Sequence, residues 1–195
     1  AKQNKCVFGR TSIEYLGHII SYNQVAMDPL KVQTVLQWPR PTSLHDLRSF
    51  LGLAGYYRRF IKQFATIASP LTDLLRKDNF QWSEVATMAF QSLQKALTTA
   101  PVLALPNFQA TFILETDASG SGIGATLLQD GHPIAYFSQK LTPRWQAAST
   151  YQREMLAITT AVSKWRQYLV GRHFKIKTDQ QSLKALMEQT LHTPD

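Results

Sequence analysis

Thr111-Phe-Ile-Leu-Glu-Thr-Asp117-Ala-Ser119 is the stretch on which the reading of the chain turns. Phe112 and Leu114 alternate with Ile113 and Glu115, and β-branched residues recur at Thr111, Ile113 and Thr116. That is strand composition with one buried face. The strand ends by presenting a carboxylate, Asp117. Gly120, Gly122 and Gly124 follow at once, so the next backbone can turn sharply and pass close by. Gly122 to Gln129 and Pro133 to Ser138 read as two further strands, joined by the strong hairpin dipeptide Asp130-Gly131. A strand–hairpin meander with an acid on its first strand is how a nuclease-like fold begins.

Downstream, Leu141 to Trp145 reads as loop. Ser149-Thr150 caps a helix predicted to run to about Val170, where Gly171 ends it as a C-cap. Tyr151, Glu154, Ile158, Ala161 and Trp165 recur at steps of three and four, so Glu154 lies on the apolar seam. Burying an unpaired carboxylate is costly, so Glu154 needs a cation, a hydrogen-bond partner or a raised pKa. His173 to Asp179 is a fourth strand, which also ends in Thr-Asp. Ser182 caps a short helix beyond it.

Three acids therefore stand at matching places: Asp117 and Asp179 at strand ends, and Glu154 inside a helix face. Their order and setting suit a two-metal nuclease site, in which two Mg²⁺ ions sit ~3.5–4 Å apart. Magnesium takes hard oxygen ligands and keeps several waters, so a few carboxylates suffice. Glu115 shares the Asp117 face of its strand, and spacing alone does not separate the two. The plain alternative is three unrelated surface acids. No other chemistry is as coherent. The histidines (His18, His45, His132, His173 and His192) are scattered. Gly120-Ser-Gly-Ile-Gly124 is followed by a strand and no Gly-Lys-Ser/Thr, so it is not a phosphate loop. No serine sits in a Gly-x-Ser-x-Gly elbow.

The first half has another character. Cys6-Val-Phe8 and Ile13 to Ser21 read as two short strands around a turn. With nothing before Ala1 to pair with, they are expected to be the loosest part of the chain. Asp28-Pro29 starts a helix that Trp38-Pro39-Arg40-Pro41 stops. Ser43 caps a second helix with the stripe Leu44, Leu47, Phe50, Leu51 and Ala54, while Gly52 and Gly55 would allow a neighbour to approach closely. A third helix spans about Lys62 to Leu75. Ser83 caps a long helix with Val85, Met88, Ala89, Phe90, Leu93, Ala96 and Leu97 on its stripe. Tyr56-Tyr57-Arg58-Arg59-Phe60 mixes rings with cations. Either it meets a nucleic-acid backbone, or it is an ordinary helix end with tyrosines in the core and arginines in solvent.

The 195 residues allow one large domain or two small ones, and 44% are hydrophobic, enough for a sizeable core. The net charge of +8 favours a polyanionic partner through counterion release. The single Cys6 excludes an internal disulfide, and no stretch reaches the ~18 apolar residues of a membrane span. An intracellular setting (cytoplasm or nucleus) is expected. The start at Ala1 without methionine suggests a piece of a longer polypeptide.

Several motifs together carry a resemblance. They include Tyr15 to Ser21, Leu47 to Ile61, Pro70 to Leu75, Ala100 to Leu105 and Glu115 to Ser119. Ile134 to Ser138, Tyr151 to Leu156 and Lys177 to Leu183 complete the series. In this order the chain resembles the polymerase-to-RNase H segment of gypsy-type LTR retrotransposon Pol polyproteins. The resemblance implies an α+β chain. Residues 1–26 would end the reverse-transcriptase palm, 27–78 would form the helical thumb, 79–110 a connector, and 111–195 an RNase H-like domain truncated at its C-terminus. It implies that Asp117, Glu154 and Asp179 are the catalytic acids and hold two Mg²⁺ ions. It selects Asp117 over Glu115. Tyr56, Tyr57, Arg58 and Arg59 of the thumb, with Gly17 and His18 of the hairpin that grips the primer end, would contact nucleic acid.

Two departures accompany it. The polymerase motif Tyr-x-Asp-Asp lies upstream in the family and is absent here, so polymerisation would need the upstream palm and fingers of the same polyprotein. The family's fourth metal-binding aspartate lies on a later helix that this sequence does not include, and Asp195 does not match its context. The leading expectation is Mg²⁺-dependent cleavage of RNA in an RNA–DNA hybrid. The competing one is an inactive remnant that binds hybrid or packs on a polymerase.

Overall fold

The computed structural model describes residues 8–76 and 80–178. Its class is α+β, as expected, and it holds two four-stranded sheets. The first is β1 (Ser12–Tyr15), β2 (His18–Ser21), β3 (Gln24–Met27) and β4 (Leu103–Ala104), in that order and antiparallel throughout. Leu16 and Gly17, both at positive φ, form the tight turn between β1 and β2. Ile13 to Ser21 is therefore a complete hairpin by itself, and Phe8 belongs to no strand. The expectation of a hairpin with nothing to pair against is corrected by β3 and β4: Val25 pairs with Leu103 and both are buried. These strands are too short to show a sequence period.

Among the described residues four helices run between β3 and β4: α1 (Pro29–Leu36), α2 (Leu44–Tyr56), α3 (Phe64–Asp73) and α4 (Glu84–Thr98). Asp28, Ser43 and Ser83 cap α1, α2 and α4 as predicted, each accepting from a backbone N–H in the first turn. A 3₁₀ turn, Arg58–Phe60, joins α2 to α3. Leu47, Phe50 and Ala54 of α2 meet Ala89, Phe90, Leu93 and Leu97 of α4 in one core with Val25 and Leu103. Phe50 and Phe90 lie 4.6 Å apart in a tilted pair. Val85 and Met88 point to solvent, so the buried stripe of α4 starts from Ala86 and not from Val85. Gly52 and Gly55 do not serve close approach: a Cβ at either would meet open space.

The second sheet is ordered β7-β6-β5-β8: β5 (Phe112–Ala118), β6 (Gly122–Gln129), β7 (His132–Lys140) and β8 (Phe174–Lys177). Asp130 and Gly131 turn the β6–β7 hairpin at positive φ, as their sequence predicts. β8 pairs parallel to β5 and is shorter than predicted. The segment after Leu141 contains a short helix, α5 (Pro143–Gln146). The predicted long helix is two: α6 (Thr150–Lys164) and α7 (Arg166–Leu169), broken at Trp165, whose ring turns into the core. Phe112, Leu114, Leu127, Ala161 and Trp165 form this second core. The predicted helix after Ser182 lies outside the described residues.

The two cores meet at β7. Ser138 Oγ on β7 accepts from Ala65 N at 2.8 Å, in the first turn of α3. Gln63, the residue at the cap position of α3, makes no such bond itself. Lys140 on β7 pairs with Asp73 at the far end of α3, 2.7 Å away. One strand thus holds both ends of one helix. Replacing Ser138 with Ala should cost about 1 kcal/mol, the usual size of a lost cap. Urea denaturation should show that loss, and hydrogen exchange should show the Ala65 amide losing protection more than amides in mid-α3.

Candidate functional site

The site forms where β5 ends. Alternation along β5 sends Phe112, Leu114 and Thr116 toward α6, and Glu115 and Asp117 to the other face. Asp117 is exposed there. Glu154, on the buried seam of α6, is only 2% exposed. Its Oε1 accepts from Ala118 N at 3.0 Å. The backbone next to Asp117 is thus one hydrogen-bond partner that answers its burial. Thr178 Oγ1 lies 3.5 Å from Glu154 Oε2. β8 arrives parallel to β5, with Glu115 opposite Lys177, so the chain reaches Thr178 at the Asp117 end of the sheet. Asp179 follows directly and lies outside the described residues. Among the described residues no three metal-binding side chains cluster.

Two features were not legible in the sequence. Lys177 pairs at 3.4 Å with Glu115, which faces the same cleft as Asp117 as the strand alternation predicts. Gln63, from the turn before α3, brings its amide nitrogen to 3.5 Å from Asp117 Oδ2. No local pattern signals a contact between residues this far apart in sequence.

Asp117 and Glu154 offer carboxylate oxygens, the hard ligands that Mg²⁺ takes, and the Ala118 bond fixes one of these carboxylates beside the other's strand. Among the described residues no histidine or thiol lines the cleft. These donor types fit a hard divalent cation.

The aromatic–cationic cluster sits elsewhere, against the first hairpin. Tyr57 is 1% exposed and donates its hydroxyl to Gly17 O at 2.7 Å. Tyr56 donates to Leu16 O. The His18 ring stacks on Phe60 at 5.6 Å and lies beside Tyr56 and Tyr57, with Nδ1 3.0 Å from Leu16 O. The expectation that Tyr57 offers its ring to sugar or base is corrected: the ring is inside, holding α2 to the β1–β2 turn. Gly17 is fixed by the same joint. Its φ of 73° suits glycine, and a Cβ there would fall 2.9 Å from the Tyr57 oxygen. Arg58 and Arg59 remain exposed, with Arg59 reaching 3.5 Å from Ile134 O.

Burial, then the Asp28 carboxylate, pushes the Tyr57 phenol up to about 12. The unfolded chain would ionise near pH 10. Between these values the unfolded state holds fewer protons, so stability is intact below about pH 10 and falls as pH rises toward 12. Tyr57→Phe should lower stability at neutral pH by about 1 kcal/mol through the lost hydrogen bond. It should also flatten the alkaline decline, measured by denaturant titrations across that range.

Residues 82–176 match the family described as the RNase H-like domain found in reverse transcriptase. The retrovirus-related Pol polyprotein from transposon gypsy of Drosophila melanogaster is 43% identical over 195 residues. That match covers 93% of this chain and 19% of the relative. The corresponding polyprotein from transposon 297 of the same fly is 39% identical, covering 94% and 18%. The chain thus spans about a fifth of the length of these curated relatives. Among solved structures, a foamy viral protease-reverse transcriptase in complex with RNA/DNA hybrid superposes with a TM-score of 0.79. It is 21% identical, with 94% of this chain and 26% of that one covered, a likeness of fold.

Proposed function

The chain belongs to the reverse-transcriptase RNase H-like family of retrotransposon Pol polyproteins, and from that premise we propose that it is the part of such a polyprotein that cuts RNA in an RNA–DNA hybrid. The observation that carries the reading is the bond from Ala118 N to Glu154 Oε1. It anchors a buried carboxylate one residue from the exposed Asp117, with Thr178 closing in from the parallel strand.

Asp117, Glu154 and Asp179 would hold two Mg²⁺ ions. Bound there, the metal supplies an activated water and charge stabilisation for the leaving oxygen. Asp117 faces the cleft and meets the strand to be cut. Glu154 cannot swing, because its oxygen is fixed on the backbone. Glu115 is a weaker candidate, since Lys177 already neutralises it. Residues 1–26 and 27–78 act as the end of the palm and as the thumb, and residues 79–110 as the connector. Arg58, Arg59 and the half-exposed edge of Tyr56 contact the duplex backbone, which positions without reading sequence. Gly17, His18 and Tyr57 support that surface from below. Tyr15 and Leu16 on the first hairpin, with Tyr22 in the turn from β2 to β3, leave apolar surface that suits packing against the upstream palm of the polyprotein.

The test is cleavage of an end-labelled RNA–DNA hybrid in Mg²⁺, beside Asp117→Asn and Glu154→Gln. The expected result is RNA cleavage by the parent chain that EDTA abolishes and each variant loses, with the DNA strand intact. A parent chain that binds hybrid and never cuts it, even when extended by the segment that follows in its relatives, would replace the nuclease with a binding module.

A further inference from the structure

The cleft beside Asp117 has a wall that the second sheet does not supply. Lys62 and Gln63, in the turn before α3, line it together with Glu115, Asp117, Lys177 and Thr178. Gln63 is held there at some conformational cost. Its φ is 56°, in the left-handed region that favours glycine, and it stands where a helix prefers Ser, Thr, Asp or Asn. Its side chain does not cap α3, because Ser138 does so from β7. The amide is sent instead to Asp117, 3.5 Å away. Backbone strain retained where a cheaper residue would fit points to a use for the side chain.

The charges of the cleft make the use specific. Glu115 is matched by Lys177. Asp117 meets a neutral amide, which can orient a carboxylate without cancelling its charge. Among the described residues neither Lys62 nor Asp117 has an ion-pair partner, so beside the Asp117 carboxylate the cleft holds one unmatched cation that can meet an incoming anion.

We propose that the Lys62–Gln63 turn is a phosphate-contacting wall of the Asp117 cleft. Lys62 takes a backbone phosphate of the nucleic-acid strand lying there, and Gln63 is a positioning residue for Asp117. The proposal rests on reading the cleft as a nucleic-acid site. It makes the helical unit part of that site and not only a support for the duplex elsewhere. The interaction is electrostatic and independent of sequence, so it is visible in the salt dependence of binding without any cleavage.

The experiment is fluorescence anisotropy of a labelled RNA–DNA hybrid with the whole chain, in EDTA, over a series of KCl concentrations. Lys62→Ala should flatten the slope of log K against log[KCl] by about 0.9, the value of one lost phosphate contact, and Lys62→Arg should restore it. Thermal melts of each variant check that the exposed substitution leaves the fold intact. An unchanged slope with the parent binding normally would overturn the proposal and leave the nucleic-acid reading standing. Tighter binding by Lys62→Ala would overturn it too, by showing that the turn obstructs the strand. A parent chain that binds no hybrid at the lowest salt would remove the nucleic-acid reading itself, and the proposal with it.

Discussion

The hydrogen bond from the Ala65 amide to Ser138 Oγ is the contact on which the arrangement of this chain depends. A helix leaves its first amides without partners, and they must be satisfied from outside. In α1, α2 and α4 the preceding residue does this, so those helices carry their own starts. In α3 the acceptor comes from a strand 73 residues further on. The first core is therefore completed by the second sheet, and the two are registered at the level of single atoms. The Lys140–Asp73 pair fixes the other end of the same helix. With α3 so placed, the turn that precedes it has no choice but to lie over the end of β5.

A second constraint acts at that end. Glu154 is buried among apolar neighbours on α6, and its carboxylate is secured by the backbone at Ala118. Helix and strand cannot slide past one another without stranding that group. The same bond that stabilises the packing of α6 on β5 holds the Glu154 carboxylate at the backbone next to Asp117.

What was legible in the sequence is what is local. Asp28, Ser43, Ser83 and Ser149 each announce a helix start, because a cap needs only its own first turn. Asp130-Gly131 announces the hairpin, because the turn demands two residues at positive φ. The periodicity of α6 put Glu154 on the buried seam, and the structure finds it there. What was not legible is what arises between distant segments. The two-residue strand β4 has no period to read. The trans cap from Ser138 leaves Gln63 looking like an ordinary loop residue. Tyr57 and Arg58 are adjacent in sequence and part company only because the 3₁₀ turn sends one ring inward and one guanidinium out. The break at Trp165 reflects the pull of the second core on a bulky ring, which overrides a continuous helical pattern.

The pairing of β3 with β4 has a consequence for how the chain is assembled in time. Val25 and Leu103 are neighbours across a ladder, so everything between them leaves and returns at one place. Topologically the four helices are a closed excursion from a small sheet, with entry and exit side by side. Loop closure grows only slowly with loop length, so an excursion this long costs little more than a short one, and its helices are then tied back to both sheets, Tyr57 to the β1–β2 turn and α3 to β7. The ladder that closes the excursion, Val25 against Leu103, forms only once synthesis has passed β4.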